Sequence, residues 1–372
     1  MARTILITGG AGFLGSHVAD DLIGKGHKVR VLDNLSEQVH GPGGERPDYL
    51  DPDIELIRGD VRDPDAVRAA LQGVDAVYHF AALVGVGQSM YQIGDYVGVN
   101  DLGTAVLMQA LIERPVERLV VASSMSVYGE GLYQDAHGHV VEAGRRSIDQ
   151  LKAGHWEPGT GTGGTLTPLA TPETKAPDLA SVYALNKYVQ ERMCLIVGET
   201  YDIPTVALRF FNAYGTRQAL SNPYTGVLAI FASRILNGKP PLVFEDGQQR
   251  RDFVHVHDVA RACRMALDAP GAAGQTINVA SGRCVTVAEV AEAVATAMNR
   301  PDLKPEIPRT FRAGDIRHCF ADIGKARELL GFTPIMDFNA GLQELAGWVA
   351  GQTAVDRVDD MRRELAQRGL SA

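Results

Sequence analysis

The chain has 372 residues, 45% hydrophobic and 22% charged, an ordinary globular composition with length for one large domain or two intimate ones. A formal net charge of −9 argues against general nucleic-acid binding and leaves room only for a local basic pocket that takes a phosphorylated small molecule. The opening MARTILITGG lacks the apolar core and cleavage site of a secretory leader, and no segment approaches membrane-spanning length; Cys194, Cys263, Cys284 and Cys319 lie too far apart for a disulfide framework or zinc site, so a reducing cytoplasm is expected, with no metal.

TILIT (4–8) is an apolar run that predicts a strand. Glycines follow, then FLGSHVADDLIGKGH with helical spacing. KVRVLD (28–33), IELIRGD (54–60), VDAVYHFAA (74–82) and RLVVASS (118–124) read as further strands, with helices between them at PDAVRAALQG and around 95–113. Strands alternating with helices, and rich in Val, Ile and Leu without strict alternation, predict a parallel, doubly wound α/β sheet buried on both faces. Residues 130–172 are rich in Gly, Thr and Pro and read as an inserted loop or small subdomain. IPTVALRFFN (203–212) is another core strand, and DFVHVHDVARACRMAL with QTINVAS reads as a strand–helix–strand returning to the main sheet. The expected division is a Rossmann-like domain over 1–208 and 251–279, a smaller α/β substrate domain from 209–250 and 280–350, and a charged, helix-like tail over 351–372.

GGAGFLG places Gly9, Gly12 and Gly15 three apart, after a strand and at a helix start. Such glycines permit a tight turn and close approach of a pyrophosphate, and the helix N-terminus adds free N–H groups. The next strand ends at Asp33, whose carboxylate would accept from an adenosine ribose and repel a 2′-phosphate, favouring NAD over NADP. SSMSVYG (123–129) stands at a strand's C-terminal end, where ligands bind in such sheets. YALNK (183–187) sets Tyr183 and Lys187 four apart on one helical face; a nearby ammonium can make a phenol a usable base, although YxxxK alone is also ordinary half-buried packing.

The ordered set TGGAGFLG, LDN, GDVRD, HFAA, VN, SSMSVYG, YALNK, RFFNAYGTRQ, RRDFVHVHDVA and RAGDIRH runs over nearly the whole chain. It resembles the extended short-chain dehydrogenase/reductases of the nucleotide-sugar epimerase/dehydratase family. The resemblance implies that Tyr183 is the catalytic acid/base, that Lys187 binds the nicotinamide ribose and lowers the Tyr pKa, and that Ser124 assists at the sugar hydroxyl. It implies NAD held by Gly9, Gly12, Phe13, Leu14, Gly15, Asp33 and Asn34, by Asp60 and Val61 near the adenine, and by Phe80, Ala81, Ala82 and Asn100 along the cleft. A nucleotide-diphosphate sugar would meet Ser124, Ser126, Asn212, Arg251, Arg312 and Asp315, the arginines as forks for the diphosphate. The family's dehydratases carry an Asp-Glu pair after the Ser/Thr, where this chain has Met125 and Ser126; that departure favours a 4-epimerase over a 4,6-dehydratase, with a 4-ketoreductase as the other alternative and a dinucleotide sensor without turnover as the non-enzymatic one. Within the family, the insertion together with RQALSNPYTGVLAIFASRILNG is similar to bacterial dTDP-L-rhamnose 4-epimerase-like proteins, which ranks the substrates. The insertion has the cadence of a zinc-ribbon-like element whose Cys pairs are replaced here by Gly and Thr; a cover over the sugar pocket, or plain surface, is its expected role. The family's habit of pairing two helices per subunit implies a homodimer through 95–113 and 182–200, with Met193, Ile196 and Val197 supplying apolar surface.

Overall fold

The Val-, Ile- and Leu-rich runs of the sequence assemble into one parallel sheet of seven strands: β1 (Thr4–Thr8), β2 (Lys28–Asp33), β3 (Glu55–Arg58), β4 (Ala76–His79), β5 (Arg118–Ser124), β6 (Thr205–Phe210) and β7 (Thr276–Val279). Their order is β7-β6-β5-β4-β1-β2-β3. The computed structural model describes residues 2–159, 164, 166–312 and 314–371. Residues 160–163 and 165 of the Gly/Thr run, and Ala313 within RAGDIRH, therefore lie outside the described residues. The chain runs outward from β1 to β3 and then restarts on the other side of β1 at β4, so the strand order reverses between β1 and β4, where ligands bind in open α/β sheets.

The main helices are α1 (Phe13–Ile23), α2 (Pro64–Ala70), α3 (Gly103–Glu113), α4 (Val182–Thr200), α5 (Val227–Leu236), α6 (Val256–Asp268), α7 (Val287–Ala297), α8 (Phe338–Ala350) and α9 (Val358–Gln367). On one face of the sheet Val18 and Leu22 of α1 pack with Val259 and Cys263 of α6 over Ile5 and Ile7. On the other, Val67 of α2, Leu107 and Leu111 of α3, and Cys194 and Leu195 of α4 cover Leu6, Val77 and Val121. Local chemistry starts these helices where the sequence expects: Asp63 accepts the Asp65 N–H at 2.9 Å to cap α2, and Ser181 accepts the Ala184 N–H at 3.1 Å to cap α4. The helix expected over 95–113 is compound. A turn at Ile93–Tyr96 opens into a π-helical stretch, Val97–Leu102, before α3 begins.

A second core gathers Phe231 of α5, Val290 of α7 and Leu342 and Leu345 of α8 with Val243 and Phe253. The expected strand at DFVHVH does not join the main sheet. Phe253–His255 pairs in parallel with Asn212–Tyr214 instead, because β7 already occupies the free edge of β6. The 130–172 insertion is more regular than expected: Val140–Glu142, Leu132–Gln134 and Thr167–Leu169 form an antiparallel sheet, Ile148–Lys152 is a short helix, and Leu151 and Trp156 bury against Phe311. Among the described residues no helix is long and apolar enough to cross a membrane.

Candidate active site

A cavity of about 630 Å³ opens at the C-terminal edge of the sheet, between the sheet and the second core. Its first wall is the β1–α1 turn. Gly9 has φ +70°, and a Cβ there would stand 2.8 Å from the Ala81 nitrogen; a Cβ on Gly15 would stand 2.5 Å from the Gly9 oxygen. Gly12 caps α1 without a side chain, so the first-turn N–H groups of Phe13 and Leu14 stay open toward the cavity. Asp33 ends β2 and accepts the Ala11 N–H at 3.1 Å and the Leu35 N–H at 2.9 Å, which pins both flanking turns around one buried carboxylate. Asn34, Asp60, Val61, Phe80, Ala81 and Ala82 continue this wall. Asp60 is held by Arg62, whose Nη2 is 2.7 Å away; that contact, with backbone and Asn34 hydrogen bonds, keeps its carboxyl below the ordinary value although burial opposes it. Asn100 is the one expected cofactor residue that does not line the cavity. It is fully buried, accepts the Leu83 N–H at 2.8 Å and donates to the Leu83 oxygen at 3.1 Å, and so shapes the loop that does.

Ser124, Ser126, Tyr183 and Lys187 meet on the cavity's floor. The Ser124 side chain lies next to the Tyr183 phenol. Ser126 donates from its hydroxyl to the Ser124 oxygen at 2.9 Å, so a linked pair of hydroxyls stands beside the phenol. Lys187 donates to the Ala122 oxygen at 3.1 Å. Burial pushes the Lys187 ammonium down to about 8, still charged at neutral pH. In the chain alone the Lys187 ammonium is turned to the Ala122 carbonyl, and burial leaves the Tyr183 phenol above its ordinary value, although the neighbouring Ser124 side chain lowers it.

The opposite wall comes from the second core. Asn212 presents a buried Oδ1 with no hydrogen-bond partner among the described residues. Arg312 grips Asp315 with Nε at 3.2 Å and Nη2 at 2.7 Å while its guanidinium lies 4.7 Å over the Phe244 ring. Arg251 lies 3.7 Å from the other Asp315 oxygen and donates to the Arg317 oxygen at 2.9 Å and to the Ile316 oxygen. Burial works against the Asp315 charge, yet Arg312 and Arg251 hold its carboxyl below the usual range. Two arginines against one carboxylate leave this corner positive, as a diphosphate requires.

The family model described as the NAD dependent epimerase/dehydratase family matches residues 5–143 and 160–280. The chain belongs to this family. Among similar members of the NAD dependent epimerase/dehydratase family, the dTDP-L-rhamnose 4-epimerase of Burkholderia thailandensis is 34% identical over 353 residues, covering 94% of this chain and 95% of that protein. The crystal structure of UDP-glucose 4-epimerase from Thermotoga maritima with UDP-glucose superposes with a TM-score of 0.76 at 28% identity, over 93% of this chain and 98% of that one. UDP-glucose 4-epimerase of Thermus thermophilus, in complex with NAD, gives 0.73 at 30% identity, over 94% and 100%. The cofactor of this epimerase/dehydratase is NAD, and the glycine cradle, the open first turn of α1 and the Asp33 carboxylate fit it.

Other residues of the site escaped the sequence. Val358, Met361 and Leu365 of α9, with Leu370, form an apolar wall of the cavity, and a Cβ on Gly87 would stand 3.3 Å from Leu365. Their i, i+3, i+7 spacing was the available signal. Among the described residues, the insertion contributes none to the cavity wall. His255, His257 and Glu344 converge to within 4.8 Å, far from one another in sequence apart from the HVH pair. His255 Nδ1 accepts the His257 N–H at 3.3 Å, while its Nε2 lies 3.8 Å from Glu344, beyond hydrogen-bond range.

Proposed function

We propose that the chain is an NAD-dependent nucleotide-sugar 4-epimerase that inverts C4 of a UDP- or dTDP-hexose through a transient 4-keto sugar. The observation that carries it is the meeting of Ser124, Tyr183 and Lys187 in one cavity at the sheet's C-terminal edge, with Met125 and Ser126 in place of an acidic pair. Bound NAD supplies the acceptor that takes the C4 hydride and returns it. Tyr183 takes the C4 hydroxyl proton as the C4–H bond breaks, and returns a proton to the same oxygen after the sugar has turned over. Ser124 orders that hydroxyl, and Lys187 has two N–H groups beyond the one given to Ala122, enough to hold a ribose. Asn212, Arg251 and Arg312 hold the diphosphate and Asp315 the nucleotide ribose while the hexose rotates. Neither Met125 nor Ser126 can exchange a proton usefully at C5 or C6, which disfavours 4,6-dehydration.

The test is substrate labelled with deuterium at C4, dTDP-L-rhamnose first and UDP-glucose second. Label retained at C4 with inverted configuration, and no net NADH consumed, is the expected result. Loss of NADH in step with product overturns the assignment in favour of a reductase.

The same reading divides the chain into an NAD domain (1–208 with 251–279) and a sugar domain (209–250 with 280–350). It pairs two copies through the helices at 95–113 and 182–200. Val97, Leu102, Leu185 and Ile196 support that pairing, being 42–53% exposed on those segments; Met193 and Val197 are half-buried, and Val197 packs on its own core. Four free cysteines, three of them buried, support a reducing cytoplasm as the compartment.

A further inference from the structure

Residues 144–159 fall between the two stretches that the family model matches, yet they hold a deeply buried charge. The Arg146 side chain is 3% exposed. Its Nη1 donates to Glu245 Oε1 at 2.7 Å and to the Trp156 oxygen at 3.1 Å, and its Nη2 donates to the backbone oxygen of Asp315 at 2.8 Å. Glu157, near the gap's end, reaches Arg317 Nε at 2.9 Å and His318 Nε2 at 2.9 Å. Glu130, at the insertion's root, accepts the successive N–H groups of Arg317 at 2.6 Å and His318 at 3.1 Å, and it is itself held by the Tyr133 hydroxyl at 2.7 Å. Arg317 closes the set on Glu245 at 3.0 Å and Asp246 at 2.6 Å.

All these contacts converge on 312–318, the segment that carries Arg312 and Asp315 and whose carbonyls orient Arg251. Apart from the two-residue strand His318–Cys319 and the Arg312–Ser371 bridge, the described residues of this segment have little secondary structure to fix them. A buried guanidinium is retained only with its hydrogen bonds satisfied, and removing one partner strands the others. We propose that the insertion is a brace for the diphosphate end of the site, with Arg146 and Glu157 as positioning residues that act through Asp315 and Arg317. This rests on the nucleotide-sugar reading above.

The test uses the full-length, NAD-loaded protein and titrates UDP and dTDP by calorimetry, so that no turnover is needed. Arg146→Met is expected to weaken nucleoside-diphosphate binding by about tenfold, the scale of one lost hydrogen bond to a charged group. KM for the nucleotide sugar should rise in proportion, with NAD content and kcat at saturation little changed. Arg146→Lys, which keeps the charge but loses the fork, should recover part of the affinity. Glu157→Gln should shift affinity in the same direction; its side chain is 58% exposed, so this variant keeps the test alive if Arg146→Met does not fold. Unchanged nucleotide affinity in folded variants overturns the brace. Loss of NAD and kcat together also overturns it, since that marks a general structural role. If the wild-type protein binds neither UDP nor dTDP, the nucleotide-sugar reading itself fails, a separate outcome from either.

Discussion

Tyr183 shows how far single residues could be read. Its spacing from Lys187 was visible, but its place beside the hydrogen-bonded Ser124–Ser126 pair depends on the turn after β5, which no spacing rule reports. On the proposed mechanism Tyr183→Phe removes the proton-transfer group and leaves Lys187 for the ribose, so turnover should fall by roughly 10²–10⁴-fold with NAD still bound after purification; absorbance of the extracted cofactor and steady-state kinetics check both halves. The glycine turn was legible because backbone sterics are local. Gly9→Ala meets both a positive φ and a Cβ position 2.8 Å from Ala81, so the folded variant should be recovered largely without NAD. The Arg312–Asp315–Arg251 corner was legible only through family resemblance, since its partners lie up to 64 residues apart and no local pattern joins them.

At the scale of elements, the parallel sheet was readable because both-face burial leaves uninterrupted Val, Ile and Leu runs. What failed was edge assignment: 253–255 has strand composition, but composition says nothing about which edge is already filled. The insertion failed for a different reason. Its order comes from Arg146, Glu130 and Glu157 pairing with distant charges, whereas its Gly/Thr content reads as loop. Helix α4 carries Ile196 at 52% exposure on the face away from its core. Ile196→Glu, combined with Leu102→Glu, places charge on the proposed paired surface and should convert a dimer to a monomer in light scattering without loss of helicity. A wild-type protein that is monomeric at micromolar concentration would count against the pairing.

For the whole molecule, buried histidines shape the response to acid, His17, His79 and His255 most strongly. Burial drives His17 and His79 down to about 3 and His255 to about 4. The unfolded chain takes up these protons near pH 6.5, while the folded chain does not until about pH 3–4. The unfolded state therefore binds more protons in that window, and stability falls as pH falls from 6.5 to 4, by about 1.4 kcal/mol per pH unit for each group. Asp252 acts with the opposite sign between its ordinary value and about 6, because burial raises it and the folded state holds the extra proton. Urea midpoints at pH 7 and pH 5 should differ accordingly. His79→Asn, which removes the ring between the Thr8 and Thr104 hydroxyls, should lower overall stability but flatten the slope by about one proton.

The packing of α6 against α1 carries a consequence for synthesis. The strands β1 to β5 leave the ribosome early, but the helix that covers Val18 and Leu22 is encoded by residues 256–268, and β7 follows at 276–279. At about 5–20 residues per second, the nascent chain exposes that oily face on the order of tens of seconds before its partner emerges. A release-competent product ending near residue 215 would keep the glycine cradle and the catalytic tyrosine yet present an uncovered sheet face, and it should be captured by chaperones or aggregate rather than accumulate as a working dinucleotide binder.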